Sequence, residues 1–147
     1  MCLDALGMQN RKISNSAITA SSEYSTSSKA IYGRLHFLFR SGINYGAWSA
    51  KTNDVFQYLQ INFGDWTKVT RVAIQGRQDA NQWVKSYSLS YGYDAAFFKY
   101  YYEDGEKKVI SLFPPKFEIS SESKFLRYLR LLEIRLPYFY PYQQLYN

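Results

Sequence analysis

A chain of 147 residues suits one domain with a single packed core. Its 46% hydrophobic and 20% charged residues, with 8 Gly and 4 Pro, exclude a disordered chain. One His and one Cys exclude an intrachain zinc site of four Cys and His ligands and a C-x-x-C redox pair, so no metal and no cofactor is expected. The net charge of +6 divides as +4 over residues 1–75 and +2 over 76–147, which admits an anionic partner without a basic tail. No RNP-like run or basic helix accompanies it, so no nucleic acid is expected as a partner. No apolar stretch reaches the length of a membrane span. Residues 1–20 contain no secretory h-region, because Asp4, Gln9, Asn10, Arg11 and Lys12 interrupt every apolar run. The 19% aromatic content, with 15 Tyr, favours strands over helices.

In chain order, Tyr58 to Gly64 places Leu59, Ile61 and Phe63 on one face and Gln60 and Asn62 on the other, with Gly64-Asp65 expected to end the strand. Val69 to Gly76 repeats the device around Val72 and Ile74. Val84 to Gly92 sets Tyr87, Leu89 and Tyr91 against Ser86, Ser88 and Ser90. Phe97 to Tyr102 and Lys108 to Phe113 are two further runs, separated by the polar turn Glu103-Asp104-Gly105-Glu106. Leu59, Ile61, Val72, Ile74 and Leu89 are the expected core. Short strands at regular spacing predict an all-β sandwich or barrel. Lys124 to Leu136 fits two periods: Phe125, Leu129, Leu132 and Leu136 suit a helix, while Arg127, Leu129 and Leu131 share a strand face. Pro137 and Pro141 break any regular element in the tail, which is expected to be irregular over 137–147. No internal repeat or linker divides the chain, so 1–147 is read as one domain.

The opening Cys2-Leu-Asp-Ala-Leu-Gly-Met8 and Ile18-Thr-Ala-Ser-Ser22 resemble the start of a discoidin domain, the coagulation-factor type C module. The likeness continues in order through Gly33-Arg34-Leu35, Gly46-Ala-Trp48-Ser-Ala50, Tyr58 to Gly64, Lys68 to Arg77 and Trp83-Val-Lys-Ser-Tyr87, covering residues 2–113. It weakens over 114–136, where Phe125-Leu-Arg-Tyr-Leu-Arg-Leu131 looks like the penultimate family strand and the closing strand is unrecognisable. The resemblance implies an eight-stranded antiparallel jelly-roll sandwich, galactose-binding-like, with a divergent C-terminal end. It implies ligand binding without catalysis, through loops called spikes at one end, in an extracellular or cell-surface setting. The family's closing Cys is missing, so Cys2 lacks its implied disulfide partner.

On the family's loop plan, Glu23 to Gly33 is the first spike, Leu38 to Gly46 the second and Arg77 to Gln82 the third. The ligand face is therefore expected at Tyr24, Lys29, Tyr32, Arg40, Tyr45, Arg77 and Trp83. Tyr and Trp rings stack on a sugar or peptide, and the three cations suit sulfate, sialic acid or phospholipid headgroups. The implied function is non-catalytic recognition of a cell-surface or matrix glycan, glycoprotein or other protein in adhesion or matrix attachment. The alternative is peripheral binding to an anionic phospholipid membrane, supported by the charge and by Leu38, Phe39, Ile43 and Tyr45 around Arg40. Part of that apolar set is expected to be core beneath the loop. Ala20 to Thr26 also looks like the first spike of the neuropilin subgroup, which implies a peptide pocket from Tyr24, Ser49 and Asp54, with Ser28 where that subgroup has a Trp. Trp48 and Trp66 are read as core or rim packing. His36 lies in a strand-like run with no nucleophile or acid at a catalytic spacing, and no G-x-S-x-G elbow exists. Arg127 and Arg130 are read as solvated or ion-paired.

Overall fold

The computed structural model describes residues 5–111 and 117–132. Within them the chain forms eight strands: β1 (Ile18–Ala20), β2 (Tyr58–Ile74), β3 (Ser86–Gly92), β4 (Lys99–Tyr100), β5 (Tyr102–Glu103), β6 (Glu106–Lys107), β7 (Val109–Ser111) and β8 (Phe117–Leu132). Every pairing among them is antiparallel. A six-stranded sheet runs in the order β1-β2-β8-β3-β4, with β7 also on β3, and β5-β6 forms a separate hairpin. Its turn is the expected Asp104-Gly105, where both residues hold positive φ, of 52° and 82°.

Gly64-Asp65 does not end a strand, contrary to the sequence expectation. β2 runs on through it, and the residues from Asn62 to Thr67 form an irregularity in the pairing with β8. Gly64 holds φ +80° there, and the Arg127 Nε donates to its carbonyl. The physical reason is that β8 supplies a partner on both sides of the interruption, so the ladder resumes after a bulge that bends the ribbon. The same partner resolves Lys124 to Leu136: it is strand through Leu132, pairing with β2 and β3 at once. Register pairs such as Leu59↔Leu131 and Leu89↔Leu131 place it in the ladder between two strands, and this pairing overrides the local helical period.

Two clusters form the core. One gathers Val69, Tyr87, Leu89, Tyr101, Ile110 and Leu129, with Val72 and Ile74 partly buried against it. The other gathers Ile13, Ile18, Ala30, Leu59 and Ile61, with Trp48 packed on it. Phe63 touches both, which joins them across the bend in β2. All five expected core residues therefore lie in or against the core. β3 differs from its simple alternation, because Ser88 and Ser90 are buried as well as Tyr87 and Leu89. Its central place, between β8 on one side and β4 and β7 on the other, accounts for their burial. Burial also pushes the Tyr87 hydroxyl well above its usual range.

His36 lies in a turn with φ 57°, not in a strand, and its backbone N–H donates to the Gln75 side chain. Trp66 is 62% exposed and stacks on Tyr93 at 4.9 Å, so it packs on the surface and not in the core. Arg130 is held between the Tyr58 and Phe98 rings and bonds Gln60, a stacked cation and not a solvated or ion-paired one. The expectations for Cys2 and for the irregular tail 137–147 lie outside the described residues.

Candidate functional site

The three spikes are tied to one another by specific bonds. In the first, the Glu23 carboxylate accepts from the Ala30 backbone N–H at 2.7 Å, closing the loop, and a 3-10 turn over Ala30–Gly33 leads out of it. Ser28 is fully buried at the centre, where its Oγ accepts from the Ser25 N–H. A small hydroxyl residue caps the tight turn at the position that the neuropilin likeness gives to a Trp. The second spike lies against the first, where Tyr45 N–H donates to Ser27 O at 2.9 Å, and the segment after it adds a bond from Tyr24 N–H to Ser49 O at 2.8 Å.

The second spike narrows to a tight hairpin in which Arg40 and Asn44 face each other and Gly42, at φ +73°, makes the reversal. Gly46 closes its base at φ +67°, and a Cβ there would lie 2.9 Å from the Phe39 nitrogen. Buried Asn44 accepts from the Gly46 N–H. Phe39 N–H donates to Gln78 Oε1, joining the hairpin to the third spike. The hairpin's apolar side chains face outward: Leu38 is 66% exposed, Phe39 40% and Ile43 60%, around an exposed Arg40. These three lie outside the core, while Tyr45, half-buried beneath the Arg77 guanidinium, is the member of that apolar set that packs inward.

The remaining predicted residues divide into available and committed groups. Tyr24 is 66% exposed, and Lys29 is exposed. Tyr32 is half-buried, its ring 5.2 Å from that of Phe37. Arg77 is committed: its Nη2 donates to Asp79 at 2.8 Å, its Nε to the other carboxylate oxygen and its Nη1 to Gln82. The guanidinium also sits 4.0 Å over the Tyr45 ring. The hydrogen bonds to Asp79 raise the Arg77 pKa and hold the Asp79 carboxyl below the usual carboxylate range. Trp83 is half-buried, with an indole N–H that has no acceptor among the described residues.

Tyr24 and Ser49 are joined by a backbone hydrogen bond, and the Asp54 carboxylate is already engaged. It accepts from the Gln57 amide, the Phe56 N–H and the Thr52 hydroxyl, which together lower its pKa. Gln57 in turn accepts from Ser21 and Ser22, so Asp54 fastens the 52–57 turn to the first spike. Among the described residues no group of three or more His, Cys, Asp and Glu could hold a metal ion.

The family model for the F5/8 type C domain matches residues 17–132, from β1 to the end of β8. The chain belongs to this family. Rat (Rattus norvegicus) lactadherin is 36% identical over 113 residues, covering 74% of this chain and 26% of lactadherin. Human coagulation factor VIII is 31% identical over 140 residues, covering 88% of this chain and 6% of the factor. The chain thus spans a small part of the relatives it matches. Among solved structures, discoidin II from Dictyostelium discoideum aligns with TM-score 0.72 and 19% identity over 82% of this chain and 49% of that one. The family 32 carbohydrate-binding module of Clostridium perfringens NanJ, solved with galactose, aligns with TM-score 0.55 and 18% identity over 84% and 86%. The fold of this F5/8 type C domain is accordingly the antiparallel jelly-roll expected from its sequence.

The sequence reading left the second spike's apolar residues divided between core and membrane contact, and it missed Arg11, outside every spike in the linear plan, which the fold brings beside Phe37 and the second spike. Gly7, at φ +122° with Lys12 and Ile13 crowding its Cβ position, turns the N-terminal segment into that place.

Proposed function

We propose that residues 1–147 are a single non-catalytic recognition domain, acting outside the cell, that docks on an anionic phospholipid membrane through its spike end. The observation that carries this reading is the second-spike hairpin, which presents Leu38, Phe39 and Ile43 to solvent around Arg40. Exposed apolar side chains on a stiff tip bury in the acyl boundary, at about 25 cal/mol per Å² of apolar surface removed from water. A cation among them meets the anionic headgroups, each such contact being worth about 1 kcal/mol near the surface. The net charge of +6 acts in the same direction at longer range. Arg40 in the hairpin, Lys29 in the first spike and Arg11 beside Phe37 are exposed cations of this end. Arg77 belongs instead to its scaffold, neutralised by Asp79.

The test is cosedimentation with phosphatidylcholine vesicles with and without phosphatidylserine. Binding should require the anionic lipid, weaken as salt rises, and fall at least tenfold in the Phe39→Ser variant. Binding that is indifferent to lipid charge and to Phe39 would refute the proposal.

A glycan or protein ligand in adhesion or matrix attachment is a second reading. It is favoured by the 66% exposed ring of Tyr24, a flat face of the type that stacks on sugars and peptides. The neighbours solved with galactose and with GalNAc-β-1,3-galactose support the same reading. Retention on a glycan array that is lost in Tyr24→Ala would identify this activity separately.

A further inference from the structure

Between the N-terminal turn and the second spike the fold encloses a cleft of about 360 Å³, at the small end of ligand sites. Arg11, Arg34 and Arg40 line it, and among the described residues no Asp or Glu does. Arg34 is 3% exposed. Its terminal nitrogens donate to three neutral oxygens, Met8 O at 3.0 Å, Ile13 O at 2.7 Å and Asn15 Oδ1 at 2.8 Å. Its Nε is shielded from solvent and has no partner among the described residues. A buried cation whose bonds all go to neutral groups keeps an uncompensated charge, which is costly in a low-dielectric setting. Burial, and after it the charge of Arg11, lowers the Arg34 pKa. The contrast with Arg77 is direct, since the third spike supplies its own carboxylate and the described residues of this cleft supply none.

We propose that this cleft binds an acidic sugar, a pyranose bearing a carboxylate or sulfate, with the exposed Arg11 and Arg40 as direct contacts and the buried Arg34 as the uncompensated charge behind them. Guanidinium groups match the planar oxygens of such anions in paired hydrogen bonds. The cleft is too large for a bare ion, and it carries the means to hold a ring. Tyr32, packed on Phe37, gives a flat apolar wall, and Gln9 adds an amide for hydroxyl groups. Arg11 and His36, both on the cleft wall, each hold positive φ, of 63° and 57°. Such backbone is uncommon outside glycine and recurs at functional sites. This site rests on and deepens the glycan reading, and Phe39 separates it from the membrane reading, since Leu38, Arg40 and Ile43 belong to both faces whereas Phe39 is not among the cleft's lining residues.

The test is calorimetric titration of the whole chain with glucuronic acid, galactose 6-sulfate, neutral galactose, inorganic sulfate and soluble dihexanoyl phosphatidylserine. The acidic sugars should bind, and galactose should bind at least tenfold more weakly, as should inorganic sulfate. Arg11→Gln and Arg40→Gln should each weaken acidic-sugar binding roughly tenfold or more with an unchanged thermal midpoint. Arg34 is left intact because it anchors residues 8–15. Phe39→Ser should keep the sugar affinity while losing vesicle binding, so failure of either reading is seen apart from the other. Equal affinity for galactose and glucuronic acid, or wild-type affinity in the Arg11→Gln/Arg40→Gln double variant, would overturn the proposal. So would sulfate alone binding as tightly as the sugars, or the phospholipid headgroup binding while the sugars do not.

Discussion

At the residue scale, the cations of the spike end separate by what faces them. Arg77 has a carboxylate two residues on and a ring beneath it, so its contribution is to hold the third spike against the second. Arg77→Ala should therefore lower the thermal midpoint measurably while leaving vesicle binding within about twofold, since its charge is already matched. A thermal scan beside a sedimentation assay reads both. The Asp79 carboxyl is held below its ordinary value by the Arg77 hydrogen bonds, which fixes the sign of its pH dependence. A depressed folded pKa stabilises above the unfolded value of roughly 4, and this contribution is lost as pH falls through the folded value. Asp79→Asn should thus be less stable than the wild type at pH 7, with the gap narrowing in denaturant titrations as pH falls below the unfolded value of roughly 4 and through the lower folded value. A gap that stays constant from pH 7 to pH 2 would contradict the assignment. The cations themselves were legible in the sequence, but their partners were not. Lys29, Arg40 and Arg77 look alike in a linear plan, and Arg11 and Arg34 become neighbours only when the chain folds back at Gly7.

At the scale of elements, the second spike depends on two glycines with different duties. Both Gly42 and Gly46 hold positive φ, but a Cβ at Gly42 meets nothing, whereas one at Gly46 meets Phe39 and Phe37 backbone atoms within 3.2 Å. Gly42→Ala should cost only the left-handed backbone term, about 1 kcal/mol. Gly46→Ala should cost roughly 3 kcal/mol or more, because backbone on the opposite side must also move. Urea unfolding of the pair checks the ordering, and equal costs would show that the hairpin base is not closed as described. The strands were legible where one face is buried, as in Leu59 and Ile61, because alternation carries that information. They were not legible where pairing overrides local signals. Gly64-Asp65 has the composition of a stop, yet β8 carries the ladder past it. Lys124 to Leu132 fits a helix by period, yet it becomes the strand shared by β2 and β3.

At the scale of the whole molecule, the two core clusters meet at Phe63, so the bend in β2 couples the spike end to the body of the sheet. Leu59 is 5% exposed in the cluster beneath the first spike, and Leu59→Ala should cost about 2–5 kcal/mol. The central claim is that the apolar tip of the second spike enters a membrane while the body stays outside it. The most direct measurement is the fluorescence of Phe39→Trp, corrected for the wild-type emission, with phosphatidylserine vesicles whose acyl chains carry bromine at successive depths. The account predicts that the added emission shifts to the blue and is quenched most by bromine nearest the headgroups. Added emission that neither shifts nor is quenched, on vesicles to which the protein is bound, would contradict it.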